Sequence, residues 1–579
     1  MSTQQDARRL LEERRARDSR RNRAHRTLEF VLLVVASLVV GVGFWLVYHA
    51  KSAAFEDASK RINLNTLQDA GLLLPLLNEI QDGALRQTAA SRIVDFARGG
   101  RIPNVGAIAR LRVHRGDRNV PILTGTQIRN LKPFLVVRTP SSWRNSVILW
   151  VAVFYLCFFA LHVFWRYTDF TGDTLMLPAI EVLCGIGLIL MISLRDPLRD
   201  TLMFRDFVQG IAGGAIVMGA MSRLDYSRHF RRYTYTFIAA TALLGLALAT
   251  LGSGPGGSDA KVNLFFFQPV EVMRILIVFF LAGYFAQNWD VLRDLRHKGG
   301  PLAAHFHIPR LDYVLPVAVG VMVAVLVFVG IKDNGPALII GALFLLLYAV
   351  ARKQFLGALI GLLLIVFVFW AGHRVHYPAT VAARVDMWES PWRNVVPGGD
   401  QLAHAAWALS SGGVKGTGPG NGSPALLPAG HTDLILAAAG EELGFIGLVV
   451  IVGLYGILAW RSIRTALNAP DTYSFFLVTG LNLIVALQLI LIAGGILGLI
   501  PLSGVVSPFL SFGRTSMVAN FAAFAIILAI SSREVPGANA RNFAVPSYWI
   551  GGLLAFCAVA VLGRAAWFQA FRADEFLIK

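Results

Sequence analysis

The stretch GHTDLILAAAGEELGFIG, residues 430–447, places Asp433 at the start of a long apolar run and Glu441 and Glu442 inside it. A lone aspartate at a helix start needs no function, since free backbone N–H groups and the helix dipole stabilise it by about 0.3–1 kcal/mol. The two glutamates weaken that explanation. Carboxylates a few turns into a bilayer helix are costly and mark a cavity, an ion path or a buried partner. Just upstream, SSGGVKGTGPGNGS, residues 410–423, offers glycines that permit positive φ and close backbone approach, with Lys415 adding charge. Such a loop can cradle an anion through its N–H groups, and it can equally serve as flexible linkage.

Other polar groups gather where apolar runs begin. FFFQPVEVMRILIVFF puts Gln268, Glu271 and Arg274 about one turn apart on one helix face, with Pro269 suited to the first turn. Glu271 and Arg274 can also satisfy each other as an ion pair. GIKDNGPALIIG brings Lys332 and Asp333 to a second helix start. IPLSGVVSPFLSFGRTSMVAN is interrupted by Gly504, Pro508 and Gly513, which breaks continuous helix and lets backbone line a cavity.

Membrane helices must position these groups. The chain has 579 residues, 55% of them apolar, and a mean hydropathy of +0.58, beyond what soluble domains reach. Apolar runs long enough to cross roughly 30 Å of hydrocarbon recur, and about thirteen crossings are expected. The fold class is therefore an all-α polytopic membrane protein. A basic tail, 1–27, is expected to lack fixed structure. An uncleaved crossing at 28–48, a polar insert at 51–143 and a second crossing at 147–165 precede ten crossings in the region 173–532, and a last crossing falls at 548–563. Within that region a long loop, 373–433, is rich in Gly and Pro and carries Trp388, Trp392 and Trp407, with Trp370 just ahead of it.

A net charge of +18 would suit nucleic acid, but the positive residues cluster in the tail and in loops at 223–232, 293–310, 352–353, 461–464 and 533–541. Alternating crossings put all of them on one side, the pattern of the positive-inside rule, so the N-terminus is expected in the cytoplasm and the C-terminus and the insert outside. The basic residues then serve topology and anionic lipid, and no nucleic-acid partner is expected. Cys157, Cys184 and Cys557 all fall in apolar runs, without disulfide or metal spacing.

The insert shows two amphipathic helical patterns, RINLNTLQDAGLLLPLLNEI and TAASRIVDFARGGRIPNVGAIARL, with Asn and Thr as start signals and Gly-Gly as a stop. A small helical extracytoplasmic domain follows. INLNT and LLLP weakly resemble the opening of helix-hairpin-helix DNA-binding modules, but residues 76–79 replace the Gly-apolar-Gly hairpin that such modules present to phosphate.

Taken together, four motifs resemble those of the SEDS family, the RodA/FtsW/SpoVE-type peptidoglycan glycosyltransferases, in the family's order. SSGGVKGTGPGNG and LLPAGHTDLILAAAGEELGFIG are similar to its long-loop signature, FQPVEVMRILIVFFLAGYFAQ to its Gln-Pro-Ser-Glu helix, KDNGPALII to its Asp-Leu-Gly-Thr helix, and GLIPLSGVVSPFLSFGRTSMVANF to its Pro-Phe-Leu-Ser-Tyr-Gly-Gly-Ser-Ser helix. Val270 replaces the motif serine, Arg274 a lysine, Asn334 and Pro336 a Leu and a Thr, and Phe512 and Arg514 a Tyr and a Gly. PAGHTD also lacks the usual glutamate ahead of the histidine.

The resemblance implies a core of about ten crossings, with two added before it and one after it. It implies polymerisation of lipid II into glycan strands at the outer face of the cytoplasmic membrane, in elongation or division, together with a class B penicillin-binding protein as transpeptidase partner. Asp433 is the implied catalytic base. Arg384 and Lys415, with Lys332 as a third, are expected to bind the pyrophosphate, while Gln268, Glu271, Arg274, His431 and Glu441 line or brace the site. No cofactor is required by this chemistry, although a divalent cation, magnesium or manganese, could bridge pyrophosphate without a dedicated ligand cage. A lipid-linked sugar flippase and a non-catalytic scaffold of the same family are the alternatives.

Overall fold

The computed structural model describes residues 2–55, 61–115, 118–254, 260–265, 267–294, 311–376, 379–392, 400–423 and 426–578. Most of the basic loop 293–310 therefore lies outside the described residues, as do short pieces of the loop 373–433. Among the described residues, twelve helices are long and apolar enough to cross a membrane, and the chain is a multi-pass membrane protein. A further helix, Met203–Met221, is as long, with Arg205 and Asp206 in its first turns lowering its apolar content. Gly210 and Gly214 bring it close against Met517 and Phe521 of the helix Arg514–Ser531, the close approach that small residues allow between membrane helices.

The helices sort into an inside and an outside. Met176–Ser193, Pro269–Arg293, Thr472–Ile496 and Arg514–Ser531 are mostly enclosed by other helices, whereas Leu356–Arg374 is almost wholly exposed, as suits a surface that faces lipid. The first helix runs from Ser2 to Ser52 without interruption, so helical backbone extends through the basic tail where no fixed structure was expected. Its Ala, Leu, Glu and Arg residues are good helix formers, which is why charge alone misjudged it. This helix and Pro140–Tyr167 are fastened to the core by polar contacts. Arg26 Nε donates to Phe170 O at 2.9 Å, Glu29 meets both Arg26 and His162 Nδ1, the latter at 2.7 Å, and Ser37 Oγ donates to Glu181 at 2.6 Å.

Successive helices alternate in direction, so the insert and the loops at 194–202, 252–268, 331–333, 375–434 and 497–513 share one face. The insert has its own apolar core, which includes Leu64, Leu73, Leu77, Ile93, Ile108 and Leu135. Its second helical pattern forms Gly83–Arg98, capped by Asp82 and ended at Gly99. The first does not form an α-helix: it is a pair of 3-10 turns, Leu64–Thr66 and Ala70–Leu77, with Pro75 inside the second, because a proline there removes a helix hydrogen bond. Two small sheets complete it, Ile62–Asn63 parallel to Leu135–Val136 and a hairpin of Arg112–Arg115 with Arg118–Pro121.

The segment that contains Glu441 and Glu442 also departs from expectation. Ile435–Leu467 is a helix of 33 residues, about 50 Å at 1.5 Å per residue and too long for one crossing. Gly444 interrupts it at φ 68°, ψ −169°. The part at 445–467 suffices to cross, while 435–443 precedes the break. Glu441 and Glu442 thus sit on the near side of the break, in the short helical piece that leads into it.

Candidate active site

Five segments converge near Asp433. The residue occupies the turn ahead of Ile435–Leu467, and the helix cap itself is Leu434 without a side-chain hydrogen bond. The Asp433 carboxylate is therefore not a helix cap, and the Thr432 hydroxyl beside it donates to Ala429 O at 3.3 Å. Burial pushes its pKa above the ordinary carboxylate range, and the Arg384 guanidinium pulls it back down. The two charges influence each other without closing a direct ion pair.

Arg384 belongs to the helix Ala379–Glu389, which lies on the broken segment 497–505 through Trp388 Nε1 to Gly498 O at 2.8 Å. Its Nη1 donates to Ser503 O at 2.6 Å. Gly504, at φ +67°, lies directly beneath the guanidinium, and a Cβ there would stand 2.7 Å from Arg384 Nη2. The glycine is needed both for its backbone conformation and for that approach. Burial lowers the Arg384 pKa, opposed by Asp433 and Asp333.

Asp333 stands at the start of Asn334–Arg352, again without capping it. Burial raises its pKa to about 6, with Arg274 and Arg384 opposing and Glu271 and Asp433 adding to the rise. Glu271 and Arg274 form the expected buried ion pair. Arg274 retains two buried donors, Nε and Nη1, without hydrogen-bond partners. Gln268 is held at the start of this helix by its backbone N–H, which donates to Thr515 Oγ1 at 3.4 Å, and its side chain is not brought to Asp433 or Arg384. Asp333 thus links the pair of Asp433 and Arg384 to the ion pair of Glu271 and Arg274, being influenced by all four charges at the insert-bearing face.

The other sequence candidates behave differently. His431 is half-buried, lies against the Phe512 ring at 5.9 Å between centroids, and has Arg195 Nη2 at 3.4 Å from its Nδ1. Burial and Arg195 lower its pKa to about 4, so the ring is neutral at neutral pH. Its carbonyl accepts from Phe512 N at 2.8 Å, and Thr432 O accepts from Ser511 Oγ at 2.8 Å, so the segment 507–513 fixes the turn that carries Asp433. Lys415 and Lys332 are exposed. Glu441 accepts from Ser423 N at 2.7 Å, and Glu442 from Gly420 N at 3.1 Å and from Ser193 Oγ. These glutamates hold the glycine-rich loop in place. That loop is ordered by backbone pairing, with Thr417 N to Glu441 O at 2.9 Å and Gly418 N to Glu442 O at 3.0 Å, and the N–H groups of Gly420 and Ser423 go to the two glutamates. Sequence reasoning placed Asp333 at a helix start and Gly504 at a helix break without giving either a part in binding or catalysis, and it missed Ser503 and Arg195. Among the described residues no three His, Cys, Asp or Glu side chains converge as a metal cage.

A family model for the cell cycle proteins FtsW, RodA and SpoVE matches residues 174–535. The chain belongs to this family. Among FtsW/RodA/SpoVE relatives, it is 32% identical over 379 residues to the peptidoglycan glycosyltransferase RodA of Mycobacterium leprae, covering 63% of this chain and 79% of that one. It is 30% identical over 332 residues to a probable peptidoglycan glycosyltransferase FtsW of a Geobacter species, covering 55% and 84%, and 29% identical over 374 residues to the stage V sporulation protein E of Bacillus subtilis, covering 62% and 96%. A solved structure of a peptidoglycan synthase complex, concerned with coordinated polymerization and crosslinking, shares the fold with a TM-score of 0.51 at 22% identity, over 62% of this chain and 97% of that one. The insert 51–143 and the two crossings that flank it precede the matched family region.

Proposed function

We propose that this chain is an inverting peptidoglycan glycosyltransferase that polymerises lipid II at the outer face of the cytoplasmic membrane, with Asp433 as the base. The observation that carries the reading is the Asp433 carboxylate, half-buried and uncapped, facing Arg384 among charges that are not fully paired. A base works best when its pKa lies near the working pH, and burial moves Asp433 in that direction while the Arg384 guanidinium opposes the rise. In the transfer, the acceptor 4-hydroxyl oxygen forms a bond to the anomeric carbon as its proton passes to Asp433. The bond from that carbon to the pyrophosphate oxygen breaks, and the electron pair leaves with undecaprenyl pyrophosphate. Pyrophosphate leaves without a proton, so one carboxylate suffices where glycosidases use two. Arg384 and Arg274 supply positive charge for the leaving group, and Lys415 and Lys332 can reach it only from the exposed rim. Magnesium or manganese, if used, would come with the pyrophosphate, and no step depends on it.

The arginine-rich loops support a cytoplasmic N-terminus, which puts the insert and Asp433 outside and the C-terminus outside as well. The names of the relatives support the activity, and the synthase complex of like fold supports a class B penicillin-binding protein as partner. The test is polymerisation of labelled lipid II by purified protein, alone and with a candidate partner, beside Asp433→Asn. Glycan strands from the wild type and none from the variant are expected. Folded protein that moves lipid II across a bilayer without joining it would make the chain a flippase, and partner binding without either activity would make it a scaffold.

A further inference from the structure

The insert lies outside the family match, and no step of the transfer uses it. Its polar contacts with the rest of the protein nevertheless concentrate on one short loop, 194–202, between Met176–Ser193 and Met203–Met221. Arg138 is the centre of that contact. Buried at the end of the insert, it donates through Nη1 to Pro197 O at 2.9 Å and Asp200 O at 2.5 Å, and through Nη2 to Pro103 O of the insert at 2.9 Å. Val137 N donates to Leu198 O and Val105 N to Arg199 O, each at 2.9 Å. The loop's carbonyls, which would otherwise need water, are thus satisfied by the insert.

The same loop reaches the site. Asp196 fixes its shape by accepting from Leu198 N at 2.9 Å and Arg199 N at 3.0 Å. The adjacent Arg195 sends Nη2 to 3.4 Å from His431 Nδ1, and its Nε contacts Met203 Sδ at 3.0 Å. His431 is two residues from Asp433, in the turn closed by Thr432 N to Ala429 O at 3.0 Å and Leu434 N to Ala429 O at 3.2 Å. A direct chain of packed polar groups therefore runs from a domain the family core lacks to the turn that bears the base.

We propose that the insert is a built-in clamp on the active-site turn: Arg138 holds the loop 194–202 so that Arg195, as a positioning residue, sets His431 and with it Asp433 in the working position. The rate consequence rests on the glycosyl-transfer reading; the structural consequence does not. A base displaced by even an ångström loses much of its effectiveness, so a loosened turn should appear in turnover rather than in substrate affinity.

The test uses the full-length protein in liposomes, with amide hydrogen exchange at 194–202 and 429–434 and initial rates on labelled lipid II. Arg138→Ala should speed exchange in both segments and lower kcat, each by about tenfold, with KM little changed. Arg138→Lys should recover part of both. Arg195→Gln should speed exchange at 429–434 and lower kcat while leaving 194–202 protected, and Arg129→Ala, an exposed arginine of the insert, should change neither segment. Faster exchange at 194–202 in Arg138→Ala with wild-type exchange at 429–434 would overturn the clamp. So would wild-type exchange at 429–434 in Arg195→Gln, which decides the matter if Arg138→Ala does not fold. A wild type that forms no polymer would remove the transferase reading, and the exchange measurements would still decide the clamp.

Discussion

Asp433 and the Glu441–Glu442 pair lie a few residues apart in one segment, and their surroundings differ in kind. The glutamates accept from backbone N–H groups of Ser423 and Gly420 and from the Ser193 hydroxyl. Both oxygens of Glu442 and one of Glu441 are occupied, and what they hold is a loop. Asp433 has a neighbouring threonine and an arginine beyond ion-pair contact, while Arg274 nearby keeps two buried donors without partners. Buried polar groups in folded proteins are nearly all hydrogen-bonded, and donors left short beside a candidate base are available to an incoming anion. Saturation separates the structural acids from the reactive one where proximity in sequence does not.

The largest effect that sharpens this contrast is Asp433→Asn. It keeps the shape, removes the base, and should lower lipid II polymerisation by roughly 10²–10⁴-fold with an unchanged thermal midpoint. Polymer yield near wild type would end the assignment. Next comes Arg384→Gln, expected to cost on the order of 10–100-fold through lost stabilisation of the leaving pyrophosphate. It also has a signature in pH. Arg384 holds the Asp433 pKa down against burial, so its removal lets that pKa rise. The base then protonates at higher pH, and the acid limb of the rate profile must move up. A limb that stays in place or moves down would separate the two residues.

Much of this was legible in the sequence. Hydropathy gives the crossings, and the order of four motifs gives the core, because both depend on local residue type. The charges at 268–274, 332–333 and 433 were visible as helix-start signals for the same reason, and Arg384 came into view only through the mechanism that the family resemblance implies. What remained hidden depended on backbone conformation at single residues. Gly444 turns an apolar run into two helices and leaves Glu441 and Glu442 ahead of the break, and hydropathy averaging passes over one glycine. Pro75 made 3-10 turns of an amphipathic pattern. Arg195 carried no signal, since its importance comes from a loop held by residues far away in the chain.

The brace side of the comparison predicts a stability effect instead of a catalytic one. Glu442→Ala strands the Gly420 N–H and the Ser193 hydroxyl in a buried place and should cost roughly 1–3 kcal/mol, seen as a lower thermal midpoint and less folded protein. The rate per folded molecule should fall far less than in Asp433→Asn. A rate loss as deep as that of Asp433→Asn, at an unchanged midpoint, would place Glu442 among the reactive groups and dissolve the distinction.

The smallest effect is the most diagnostic, because its sign is opposite. Asp333 has its pKa raised from 3.8 to about 6, mainly by burial. The fold therefore binds this proton more tightly than the unfolded chain does, and stability from this group is lost as pH rises through the window between those values. At pH 7 the folded protein holds a charge that burial disfavours. Asp333→Asn should then stabilise at pH 7, on the order of 1 kcal/mol once solvent and neighbouring charges are discounted, and the gain should shrink toward zero as pH falls to about 4. Thermal midpoints of the two proteins across that range measure it, and polymerisation should decline even as the midpoint rises, the trade expected where a site keeps charges it does not fully pair. Destabilisation at pH 7 would mean that Asp333 is held by Arg274 and Arg384 as firmly as Glu442 is held by Gly420, and that the strained side of the comparison is confined to Asp433.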